Sequence, residues 1–90
     1  MENTETVKTP TIRAALEKEL NNRRDQLAHL KVHVEGGSAT DIWIRKAVMS
    51  FAGAEGKIAT GDYDEALYLF AQGCWHSGAA YVTYNVRELL

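Results

Sequence analysis

A single cysteine, Cys74, rules out any disulfide within the chain, so stability has to come from packing, and a reducing compartment is the expected setting. A single proline, Pro10, leaves the following 80 residues free of the residue that most strongly breaks helices. No apolar run approaches the roughly 18 residues that a membrane-spanning helix needs, and the opening MENTETVKT lacks the apolar centre of a signal peptide. The expectation is a soluble, cytoplasmic protein with no membrane attachment. Neither charge sign dominates. Up to Arg45 there are seven basic and seven acidic side chains, and beyond it three and five, for a net charge of -2. Neither half is a polycation suited to non-specific binding of phosphate backbones.

What is present suits one small helical domain. The chain has 90 residues and is 46% hydrophobic, an ordinary content that allows a single core. Residues 1–8 are polar and short of anchors, and are expected to form a flexible tail ahead of a single domain at 9–90. Thr9 and Pro10 read as a helix start, threonine capping free N–H groups and proline suiting the first helical position. The first helix is expected from Pro10 to about Val34, with Ile12, Leu16, Leu20, Leu27, Leu30 and Val34 as its apolar stripe. Arg23 stands in that stripe where a heptad calls for another leucine. Gly36 and Gly37 are read as its stop.

Ser38 followed by Asp41 resembles a capping box and places a second helix at Ala39–Thr60, with Ile44, Ala47, Phe51, Ala54 and Ile58 inward. Gly53 and Gly56 each cost such a helix about 1 kcal/mol against alanine. The expected reason is close approach to a neighbouring helix. Gly61 then ends the second helix, and Asp62 with Glu65 starts a third at Tyr63. Its expected inner row is Tyr63, Leu67, Phe70, Cys74, Ser77, Tyr81 and Tyr84, flanked by Ala66, Gly73 and Ala80. The end, YVTYNVREL, has strand-like propensity but no partner strand, so helix is expected there. A break near Gly73–Gly78 would create a fourth helix. The expected fold is therefore all-α, a small bundle of three main helices.

The stretch GDYDEALYLF resembles the turn and second-helix opening of a tetratricopeptide (TPR) repeat, with Gly61, Tyr63, Ala66 and Phe70 on that family's pattern. Ala54 and Gly73 are small where the family is small. Ser50 and Gly53 depart from it, standing in place of a large aromatic and a leucine, and Gly78 replaces the closing proline. The resemblance spans residues 47–80 in a single copy. It implies a helical hairpin of the kind that presents a surface to other proteins.

Candidate chemistry is sparse. Asp25, His29 and His33 lie at steps of four and could share a helical face, yet a zinc ion needs further ligands; a solvated polar stripe is the expected role. Cys74 and His76, two apart, would point in different directions on a helix, and Cys74 falls on the apolar row rather than at a helix start where its pKa would drop. No phosphate-binding loop or nucleophile elbow occurs. The expectation is no catalytic activity, no metal and no cofactor. The basic residues Arg23, Arg24 and Lys31 are the ones that could touch nucleic acid or an acidic partner, but Glu17, Glu19 and Asp25 are interleaved with them.

The aromatics point elsewhere. Trp43, Tyr68 and Trp75 fall outside the inward rows, and Tyr68, Gln72, Trp75 and Ala79 follow helical spacing on one flank of the third helix. Tryptophan and tyrosine are favoured anchors of protein interfaces. Trp43, Tyr68, Gln72 and Trp75 are thus the candidate partner-binding residues. The function expected is a non-catalytic interaction module, an adaptor or stoichiometric inhibitor of the phage or mobile-element accessory type, able to self-associate as a homodimer.

Overall fold

The computed structural model describes residues 4–88, with side chains for residues 12–87. Three helices follow one another: α1 at Thr4–Lys31, α2 at Ala39–Thr60 and α3 at Tyr63–Glu88. The all-α expectation holds. Residues 1–3 of the expected tail and residues 89–90 lie outside the described part.

The two boundaries that differ from expectation are both those of α1. The helix starts at Thr4 and not at Pro10, so Pro10 stands in its second turn, where its missing N–H leaves the Thr6 carbonyl without that bond. It also ends at Lys31, before Val34. The His33 and Val34 N–H groups donate to the Leu30 and Lys31 carbonyls at 3.0 and 3.2 Å, which tightens the chain into turns after the last α-helical residue. Gly37, at φ 83°, therefore does not close α1. It shapes the entry to α2 immediately before the Ser38 cap.

The start of α2 is a modified capping box. Ser38 Oγ accepts from the Asp41 N–H at 3.2 Å, and Asp41 Oδ2 accepts from the N–H of Gly37 at 2.9 Å, one residue earlier than the usual reciprocal partner. The Arg45 guanidinium donates to the same oxygen at 3.1 Å. The Gly37 hydrogen bond, with Arg45 and Lys31 nearby, holds the Asp41 carboxyl below the usual carboxylate range, although burial opposes this. A depressed folded-state pKa means that the stability from Asp41 is complete above its unfolded value of about 4 and is lost as pH falls toward the folded value. The thermal midpoint of Asp41→Asn should therefore lie below wild type at neutral pH, with the gap closing below about pH 4. A gap that stays constant down to pH 2–3 would remove the carboxylate from this role.

Between α2 and α3 the turn is a Schellman closure. Gly61 adopts φ 81°, its N–H donates to the Ile58 carbonyl at 3.1 Å, and the Asp62 N–H donates to Lys57 at 3.0 Å. Asp62 Oδ1 in turn accepts from the Glu65 N–H at 3.3 Å, capping α3. The turn makes α2 and α3 antiparallel neighbours. Thr40 meets Thr83 at one end at 2.9 Å, and Phe51 lies against Phe70 with ring centroids 5.7 Å apart. Because the Thr83 hydroxyl donates to the Ala80 carbonyl at 3.0 Å, the Thr40 hydroxyl is the donor between the two threonines.

Small residues form the seam of this pair. Ala47, Ala54, Ala66 and Ala80 are fully buried along with Phe51, and short side chains let two helix axes come close. A Cβ on Gly73 would lie 2.5 Å from Phe51 Cδ1, so the ring occupies the space a side chain would need. A Cβ on Gly53 would lie a tight 3.3 Å from Leu69 Cδ1, in line with the close-approach expectation. Gly56 does not share that reason, since nothing lies within 4 Å of a Cβ built there. The inner row of α3 is rotated from the one expected: Ala66 is buried and Leu67 is 49% exposed, being about 100° further round the helix. No break occurs at Gly73–Gly78, so there is no fourth helix among the described residues.

The α1 helix lies against this hairpin through Leu16, Leu20, Leu27 and Leu30. Arg24 is ion-paired to Glu55 of α2 at 3.0 Å, and the Tyr81 hydroxyl donates to the Gln26 carbonyl at 3.0 Å. Ile12, expected inside, is exposed. Arg13, one residue on, already shares a cleft with Ile58 and Ala59 at the end of α2, so at Ile12 the helix has run past the hairpin.

Candidate interaction surface

On the outer side of α3, the helical repeat that buries Ala66, Gly73 and Ala80 necessarily turns Tyr68, Trp75, Val82 and Val86 to solvent. Trp75 is 66% exposed, a large apolar ring left in water on a domain with a small interior. From the facing turn of α2, Trp43 reaches it edge-on, the ring centroids 5.6 Å apart and the planes at 87°. His76 stacks on Trp43 at 5.6 Å with planes 30° apart, and lies 5.1 Å from Trp75. Lys46 Nζ sits 5.1 Å from the Trp43 ring centroid, within range of a cation–π attraction. Trp43 itself is half-buried and packs on the core, which anchors the cluster to α2.

Two of the remaining candidates meet on the same flank. Gln72 Nε2 donates to the Tyr68 hydroxyl oxygen at 3.1 Å, one helical turn from Trp75. Trp43, Trp75, Gly78, Ala79 and Val82 surround a shallow apolar hollow with Cys74 at its edge. A second apolar hollow, lined by Ala39, Thr40, Val82 and Val86, lies towards the end of the helix. The structure thus brings Trp43 to Trp75 and Tyr68 to Gln72 along one flank. Reading the sequence residue by residue missed Val82, Val86 and His76. The first two continue the spacing of Tyr68, Gln72, Trp75 and Ala79 into the stretch whose strand-like composition masked it. His76 had no local signal, because its neighbour Trp43 comes from another helix.

The basic candidates each have acidic neighbours. Arg24 is committed to Glu55. Arg23 lies 3.8 Å from Glu19, and its Nε is out of water without a hydrogen-bond partner among the described residues. That arrangement costs free energy and follows from placing an arginine in a leucine row. Lys31, exposed at the end of α1, lies near Asp41. Arg24 and Lys31 line one hollow together with Ala28, Ile44 and Val48, and Arg23 is not part of its lining.

The histidine spacing on α1 is lost, because the helix ends at Lys31 and His33 falls in the following turn. His29 Nδ1 lies 2.8 Å from the Asp25 carbonyl oxygen, so that nitrogen carries the proton. Among the described residues no group of three or more His, Cys, Asp or Glu side chains is placed to hold a metal ion. Cys74 is half-buried on the core, and burial raises its thiol pKa despite the opposing charge of Arg23. A protonated thiol is a poor nucleophile. No described helix is long and apolar enough to cross a membrane.

No protein-family model matches the chain, and no match to it was found among curated proteins or solved structures.

Proposed function

We propose that this chain is a non-catalytic protein–protein interaction module, an adaptor or stoichiometric inhibitor, docking through the outer flank of α3. The observation that carries this reading is Trp75, two-thirds exposed, braced edge-on by Trp43 and continued by Tyr68, Val82 and Val86. A rigid aromatic held in place by a second ring loses little conformational freedom on binding, which is why such residues become interface hot spots. The TPR-like reading of α2–α3 and a cytoplasmic location belong to the same proposal. Both fit a hairpin that offers its outer surface to a protein under reducing conditions.

The test is affinity capture with the full chain, followed by quantitative binding of whatever protein is retained, a second copy included. Truncating a hot-spot aromatic costs about 2 kcal/mol or more, so Trp75→Ala should weaken binding by roughly 30-fold while helical content is unchanged. Tyr68→Ala should weaken it less. Wild-type affinity in both variants would show that the flank is not the docking surface.

A further inference from the structure

The outer face of α3 is self-complementary in four respects. Its periodicity comes first. Tyr68, Gln72, Trp75, Ala79, Val82 and Val86 recur at alternating steps of four and three, a second heptad row opposite the buried Ala66, Gly73 and Ala80 and bordered at Trp75 by Trp43 of α2. A row of this kind is the seam by which one helix packs on another. The second is its symmetry. The row is centred on position 77, with Tyr68 as far from it as Val86, Gln72 as Val82, and Trp75 as Ala79. In an antiparallel pair about a two-fold axis, each residue meets the one equally far on the other side of the centre.

The third is shape. Gly78 stands in mid-helix at a cost of about 1 kcal/mol against alanine. Nothing lies within 4 Å of a Cβ built on it, so no close approach within the chain requires glycine there. Together with Ala79 it floors the hollow bounded by Trp43, Trp75 and Val82. Antiparallel pairing sets the Trp75 indole of each copy over this floor in the other, a large knob onto a site without side-chain bulk.

The fourth is charge. Glu65 and Arg87 are 22 residues apart, which at about 100° per residue puts them within about 40° of each other around the helix, at opposite ends of the row. A two-fold axis retains the side and reverses the direction, so Glu65 of one copy lies on the same side as Arg87 of the other and within two residues of its level, twice. Opposite charges in that relation fix register.

Resting on the interaction reading above, we infer that the occupant of this face is a second copy of the chain, paired antiparallel along α3 about a two-fold axis level with Ser77. The two Trp75 and two Tyr68 rings, each more than half exposed, bring on the order of 500 Å² to such an interface. The valines and the intervening backbone take it towards the roughly 1,000 Å² a specific contact requires.

Sedimentation of the full wild-type chain over a concentration series should show a monomer–dimer equilibrium. Gly78→Leu adds bulk to the hollow from a Cβ that meets nothing within 4 Å and favours helix, so it should shift the dimer at least tenfold towards monomer with no loss of helical signal. Glu65→Arg and Arg87→Glu should each weaken the dimer, and the two together should restore it. A wild type that is monomeric up to about millimolar concentration, weaker than any useful affinity, overturns the inference. So does a dimer indifferent to Gly78→Leu, or a double charge exchange no better than the single ones. A monomer that still captures another protein through Trp75 overturns the second copy and leaves the interaction reading standing. A dimer untouched by both Gly78→Leu and Trp75→Ala overturns both.

Discussion

Phe51→Ala should cost about 3–5 kcal/mol, a large share of the roughly 5–13 kcal/mol available to a domain of this length. Phe51 has no exposed surface and is one of the two largest fully buried side chains. Its ring lies against Phe70 and over the backbone at Gly73, so truncation removes contacts between the two helices of the hairpin. The alanines of the seam around it are too short to fold in and fill the space. In urea the midpoint should fall with little change in slope, the signature of lost stability rather than altered compactness.

The same contact predicts an unusual sign for a glycine. In a free helix Gly73→Ala would gain about 1 kcal/mol. Here its Cβ would collide with the Phe51 ring, and overpacking of about 1–3 kcal/mol should outweigh the gain. Shrinking the ring by Phe51→Leu should relieve the clash, so that Gly73→Ala is tolerated in that background. The coupling between the two changes should lie in the range of about 0.5–3 kcal/mol found for touching residues. A stabilising Gly73→Ala in the otherwise wild-type chain would show that the ring is not seated on Gly73.

The second large effect is expected on α1. Leu27→Ala should cost about 2–5 kcal/mol, because Leu27 is buried and the attachment of this helix rests on few side chains. Four leucines, the Arg24–Glu55 pair and the Tyr81–Gln26 bond tie it to the hairpin. Arg23 stands in the middle of the leucine row in place of a leucine. Exposed ion pairs contribute little, typically under about 1 kcal/mol, so the leucines dominate. Native-state hydrogen exchange should therefore report α1 amides opening in Leu27→Ala well before those of α2 and α3. Uniform loss of protection across all three helices would mean that the chain opens as one unit.

Helices α2 and α3 were largely legible from local chemistry. Ser38, Gly61 and Asp62 act through hydrogen bonds within a few residues of themselves, so their positions mark the boundaries wherever the rest of the chain lies. The leucine row of α1 was legible for the same reason, since periodicity is a property of one helix. Its ends were not, because Pro10 and Gly36–Gly37 offer signals that the chain can bypass, and the tight turns after Lys31 carry no distinct residue code.

The candidate surface divides in the same way. Tyr68, Gln72 and Trp75 could be placed on one flank by counting along a single helix. Their meeting with Trp43, and the stacking of His76 on Trp43, depend on how α2 and α3 pair. So does the rotation that buries Ala66 and exposes Leu67, two adjacent residues of which the larger would be expected inside. The seam selects small side chains because close helix approach yields more contact than a leucine held between more distant axes.

By itself the sequence determined an all-helical chain, the two capped joints around α2, and an α3 apolar on more than one side. Those features rest on interactions that span a turn or two of helix. Only the tertiary structure decided which of those sides is core, that Gly73 is a seat for Phe51 while Gly78 is open ground, and that Trp43 braces Trp75. Each of these depends on atoms brought together from separate helices, and packing at that range is set by the fit of whole surfaces rather than by any local pattern.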